Sequence, residues 1–184
     1  MRKHVLPLLL AGLILLGGRS AAQESQTYRP VATVQDIMKS MVDPSADYIW
    51  DAVATEISAT GVQTHAPKNE REWTELRNRT LVLLEASNLM VMPGRQVAKA
   101  GYKPENPDSE MTLEQMESIF NSNRPSFTNF ANGLRDTALK TLAAVEAKDL
   151  QGVLQAGAEI DAACENCHVR FWYTAKAGNP LLRR

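Results

Sequence analysis

Cys164-Glu165-Asn166-Cys167-His168 reads C-x-x-C-H and holds the only two cysteines of this 184-residue chain. The spacing is the attachment signature of a c-type haem: each thiol adds to a vinyl group of the porphyrin, and the histidine binds the iron. A helix gives that spacing its physical meaning. Residues three and four apart lie on one face within about one turn, so both sulfurs and the imidazole project together. The flanks predict such a helix, because Leu150, Val153, Gly157, Ile160, Cys164, Cys167/His168 and Phe171 recur on one stripe. The final helix is therefore expected from Leu150 to about Lys176, with the motif on its inward seam.

Three other chemistries use the same residues and fit less well. A thioredoxin-like C-x-x-C wants a βαβ context, and no alternating strand pattern is evident in the sequence. A zinc site needs four ligands, whereas His4, His65 and His168 are the only histidines and no third cysteine exists. A disulfide between cysteines three apart on a helix is strained and closes too short a loop to stabilise much.

Working back from the motif, Ala156, Gly157, Ala158, Ala162 and Ala163 leave room for a flat ring or a close neighbouring helix. Gly157 asks for such a reason, since glycine in a helix costs about 1 kcal/mol relative to alanine. Only Lys148 and Asp149 separate the last helix from the one before it. So short a connection predicts antiparallel neighbours, with Asp149 as N-cap. The preceding segment starts at Thr112, where Thr112 and Gln115 match a capping box, and Pro125 divides it into a short helix Leu113 to Asn121 and a main helix to about Ala147. Phe127, Phe130, Leu134, Ala138, Leu142 and Val145 are the expected inward residues of the main helix.

Two more amphipathic segments lie upstream. One runs from Glu70 to about Met92, capped by Asn69, with Trp73, Leu76, Thr80, Leu83, Ser87 and Met90 on one face. The other covers Val31 to Thr60, closed by Gly61, with Val34, Ile37, Met38, Met41, Tyr48, Val53 and Ile57 on or near one face. Asp43-Pro44 reads as an N-cap and first helical position, which predicts a break there. A polar loop with His65 and Pro67 joins the two segments; His65 is expected to be exposed there. The stretch Pro93 to Glu110, with three prolines and two glycines, is expected to be a loop that covers something.

The amino terminus agrees with a haem attached outside the cytoplasm. Arg2 and Lys3 form a positive start, Val5 to Leu16 is a short apolar run, and Ser20-Ala21-Ala22 offers a small-residue cleavage site before Gln23. Residues 1–22 thus read as a signal peptide and 23–184 as one exported domain. Cleavage removes three basic residues and no acid, so the mature chain is more acidic than the full chain's formal −1. That balance argues against nucleic acid as a partner.

Together, four amphipathic helices, an export signal and a single C-x-x-C-H followed by Phe171 on the last helix resemble the class II cytochromes c, the family of cytochrome c′ and its low-spin relatives. The resemblance covers essentially all of residues 23–184. It implies an all-α, antiparallel four-helix bundle with one covalently attached haem c between the helices, Cys164 and Cys167 as its thioethers and His168 as proximal iron ligand. Low-spin members place a methionine on the first helix against the other haem face; Met38 stands at the equivalent stage, with Met41 as the alternative. A thioether is a soft ligand that suits haem iron and raises its reduction potential. The family's basic residue four positions after the ligand histidine is replaced here by Trp172, which leaves Arg170 and Arg95 as substitutes near a propionate. The implied function is periplasmic one-electron transfer between redox partner proteins, after maturation by the haem-attachment machinery. The alternative is binding of nitric oxide or carbon monoxide at an open sixth site. Relatives often pair as homodimers through their first two helices. No catalytic residue is expected, because the one Cys/His set is committed to haem.

Overall fold

The computed structural model describes residues 29–179; the expected signal peptide lies outside the described residues. The chain opens with α1 (Val34–Ile37), passes without a break through a π-helical turn (Met38–Val42) into α2 (Asp43–Ala52), and then forms an antiparallel hairpin, β1 (Ala54–Ser58) and β2 (Gly61–His65). Four helices follow: α3 (Glu70–Met90), α4 (Leu113–Ser122), α5 (Arg124–Glu146) and α6 (Leu150–Phe171). The fold is mostly helical. Helix α5 packs against both α3 and α6, α2 closes the ring by touching α3 and α6, and α4 lies across α5 and α6.

Local chemistry starts these helices where the sequence says it should. The Asn69 side chain accepts the Glu72 N–H at 3.1 Å. Thr112 and Gln115 form the expected capping box, and Pro125 sits in the first turn of α5, where its missing N–H is one of the orphans anyway. The expected inward stripe of α3 is buried from Leu76 through Met90. On α5, Phe127, Leu134, Ala138 and Val145 are buried, with Phe130 and Leu142 partly so.

The first segment departs most from expectation. Asp43 is no N-cap: its backbone is right-handed helical, and its N–H donates to the Met38 carbonyl across the π turn. The irregularity announced by Asp43-Pro44 is absorbed by that wider turn, whose extra residue rotates the buried face. Val42, Ala46 and Ile49 are the core residues here. The helix also stops at Ala52 instead of Thr60, and an all-α fold is corrected to that extent. Val53, Thr55, Ile57, Val62 and Thr64 are β-branched at alternate positions, which suits two paired strands. Gly61, with φ +133°, opens β2 after a two-residue turn. His65 therefore ends a strand, although it is exposed as expected.

Two smaller corrections concern α6. Asp149 occupies the N-cap position, yet its side chain makes no capping hydrogen bond. The helix ends at Phe171, short of Lys176, because Tyr173 pairs with Glu110 in an isolated bridge. The Trp172 carbonyl accepts the Met111 N–H at 3.0 Å. Gly157 has its reason in a close neighbour: Trp50 of α2 donates its indole N–H to the Gly157 carbonyl at 2.9 Å. A Cβ at 157 would stand 3.2 Å from the same ring. Among the described residues, no helix is long and apolar enough to cross a membrane.

Candidate functional site

The last two turns of α6 border an apolar cleft, and Cys164, Cys167 and His168 all line it. Met38 lines it from the first segment, with Val34 one turn earlier. Helix α5 contributes Phe127, Phe130 and Leu134, and α4 contributes Met116 and Phe120. Four of the aromatic rings stand edge to face, Phe120 on Phe127 at 4.6 Å, Phe127 on Phe171 at 5.4 Å and Phe130 on Phe171 at 5.9 Å. That arrangement is the favoured packing of aromatic quadrupoles and makes one firm wall. The cavity is small, about 70 Å³, and its lining is almost wholly apolar.

The stretch 93–110 does cover something. Val97 lines the cleft, and the Gln96 and Val97 carbonyls accept the Val34 and Gln35 N–H groups at 2.9 Å, which satisfies the open end of α1. Tyr102 stands edge-on to Trp172, with centroids 5.9 Å apart, and Trp172 closes the cleft beyond Phe171.

Burial sets the chemistry of the three motif side chains. It pushes the Cys167 thiol up to about 12 and the Cys164 thiol up to about 11. Both are therefore protonated at neutral pH and make poor nucleophiles. They are not bonded to each other. Burial also lowers the His168 pKa, against the opposing pull of Asp43 and Glu165. The imidazole is neutral and keeps a lone pair for a metal.

Cys164 and His168 border a second, more polar pocket as well, shared with Asp43, Asp47, Asp161 and Glu165. Asp43 keeps one side in solvent. The protein behind it raises its carboxyl above the ordinary range, while His168 pulls it back down. The Glu165 carboxylate accepts the Tyr173 hydroxyl at 3.2 Å.

Of the residues singled out in the sequence, Cys164, Cys167, His168 and Met38 meet in one cleft. Met41 packs against the core without lining that space. Neither Arg95 nor Arg170 lines it either. Arg95 is 5 % exposed and spends its guanidinium on backbone, donating from Nε to the Leu89 carbonyl at 2.6 Å and from a terminal nitrogen to the Ala32 carbonyl. It ties the end of α3 to the lead into α1. The Nε of Arg170 is buried without a hydrogen-bond partner. His65 lies far off, in a broad open concavity beside Tyr48 and Glu72. There the Glu72 carboxylate is engaged by the Lys68 N–H at 2.7 Å and the Asn69 amide at 2.8 Å.

Sequence reasoning did not identify Phe120, Met116 or Asp43 as site residues. Phe120 and Phe127 flank the Asn123–Pro125 corner, and an aromatic on each side of a helix break is the signal that would have paired them. The donor set fits a covalently held haem: two thiols and a neutral imidazole on one helix line an apolar cleft, with a thioether from the first segment lining it too. No protein-family model, curated protein or solved structure matches this chain.

Proposed function

We propose that this chain is a periplasmic monohaem c-type cytochrome of the class II kind, an antiparallel four-helix bundle that passes single electrons between redox partner proteins. The observation that carries the reading is the convergence of Cys164, Cys167, His168 and Met38 on one apolar cleft. Cys164 and Cys167 would hold haem c through thioethers, His168 would bind its iron, and Met38 would be the sixth ligand. Bound there, the haem supplies a ferric/ferrous couple. The chain's own contribution is to exclude water and hold still. The phenylalanine wall and Leu134 keep the site in a low dielectric, where each nearby charge counts for more than it does in water. Trp172, backed by Tyr102, closes the end of the cleft. With Cys164, Cys167 and His168 assigned to haem, we read the protein as a carrier and not an enzyme.

The test is direct. The full-length chain, expressed for export with the haem-attachment machinery, should give a mature species that keeps its haem on a denaturing haem-stained gel and has the intact mass of one haem adduct. Absence of covalent haem would overturn the reading. The Met38→Leu variant should convert a low-spin absorption spectrum to high-spin and admit carbon monoxide. An unchanged spectrum would remove Met38 as ligand, and a wild-type spectrum already high-spin would favour gas binding over electron transfer.

A further inference from the structure

The π turn does something an α-helix cannot. In an α-helix, residues five apart point about 140° away from each other. A π turn closes its hydrogen bond from i to i+5 and stacks those residues instead. Met38 and Asp43 are such a pair, joined by the Asp43 N–H donating to the Met38 carbonyl. The result is visible on α6: Met38 lines the cleft, Asp43 lines the polar pocket, and Cys164 and His168 border both spaces. Single-turn π segments are rare within α-helices and occur frequently at functional sites.

Asp43 also shares the polar pocket with the histidine. The Glu165 carboxylate already accepts the Tyr173 hydroxyl, and Lys39, the cation nearest in sequence to Asp43, is engaged by Glu105. A metal-bound histidine characteristically gives its second ring N–H to a carboxylate or carbonyl, which fixes the ring and makes it a stronger donor.

We infer that Asp43 is a positioning residue for His168: the imidazole turns one nitrogen to the cleft and gives the N–H of the other to the Asp43 carboxylate, so one π turn would serve both the cleft and the pocket that His168 borders. This rests on the haem reading above. With haem bound, an electron-richer imidazole would favour the ferric state, so the carboxylate would hold the reduction potential down while Met38 would raise it.

The test uses the matured, haem-loaded protein with Asp43→Asn, Asp43→Glu and, as a control on the same pocket, Asp47→Asn. Haem stain and intact mass are read first. If wild type carries no covalent haem, the haem reading itself fails. With haem present, Asp43→Asn is expected to raise the reduction potential by more than Asp47→Asn does. In the ferrous Met38→Leu background, Asp43→Asn should also lower the iron–histidine stretching frequency in the resonance Raman spectrum. Asp43→Glu should fall between wild type and Asp43→Asn, and it supplies the readout if the asparagine variant does not mature. Equal potential shifts from Asp43→Asn and Asp47→Asn, or an iron–histidine band unmoved in both Asp43 variants, would overturn the proposal, since a distant surface charge does not change the bond.

Discussion

One stretch of sequence, Val31 to Thr60, departs from regular helix in two places, and the two could hardly differ more. The π turn at Met38–Val42 is anchored at both ends: Ile37 just before it and Val42 at its close are buried, Thr33 and Asp36 cap the helix that leads into it, and the 93–98 loop accepts that helix's leading N–H groups. The hairpin Ala54–His65 stands in solvent, with Ile57 82 % and Val62 66 % exposed although they pair across the strands. An isolated two-stranded hairpin is marginal in water. A π turn survives where its surroundings determine it, whereas an exposed hairpin is held by little beyond its own ladder. Local opening should begin at the hairpin and reach the π turn only with global unfolding.

The comparison breaks most visibly if the π turn is returned to the α repeat. Deleting Ser40 should rotate Met38 by about 100° against Asp43, cost about 3 kcal/mol through mispacked core, and replace the low-spin spectrum proposed for the matured protein by a high-spin one. A deletion variant that keeps its low-spin spectrum would show the extra residue to be dispensable. A smaller effect belongs to the cap. Thr33→Ala should lose about 1 kcal/mol in chemical denaturation.

The same cap predicts a pH limb. The Thr33 N–H first, and then Lys99, hold the Asp36 carboxyl at about 2, down from 3.8. Because the folded value is the lower one, the stability that Asp36 contributes is fully present above 3.8 and is lost as pH falls through about 2. Acid titration of wild type against Asp36→Asn should show that limb flattened in the variant. The smallest effect is expected at the hairpin. Replacing residues 55–64 by Gly-Gly between the cross-strand partners Ala54 and His65 makes a two-residue turn. It should leave haem attachment and spectrum unchanged and move Tm by less than about 2 °C. A larger shift would mean that the strands support the helices after all.

What could be read in advance follows the range of the physics. Caps and helix periods are local, so Asn69, the Thr112–Gln115 box, Pro125 and the buried faces of α3 and α5 were legible residue by residue. The hairpin was not, because Val53 and Ile57 stand four apart and satisfy a helical stripe as well as strand alternation; only Gly61 and the β-branched neighbours tip the balance. The π turn has no compositional mark. It is set by how the segment packs, with Met38 on the cleft and Asp43 on the polar pocket, which is a tertiary matter. The end of α6 was overrun by five residues for the same reason, since the Glu110–Tyr173 bridge comes from a loop sixty residues upstream. At the site, the four candidate ligands could be named from motif and resemblance, while the phenylalanine wall and Asp43 depend on which distant segments meet.

The contact between Trp50 and Gly157 has a mechanical consequence. Gly157 lies two turns before Cys164 on α6, and Trp50 lies two turns after Asp43 on α2. With 3.2 Å between the indole and any Cβ placed at 157, the joint is tight. It acts as a spacer between two rods, and the gap it sets is carried along them to the cleft at their other end. A single added methyl there would work as a wedge driven at the hinge side of a clamp, changing how far the jaws stand apart without touching anything they hold.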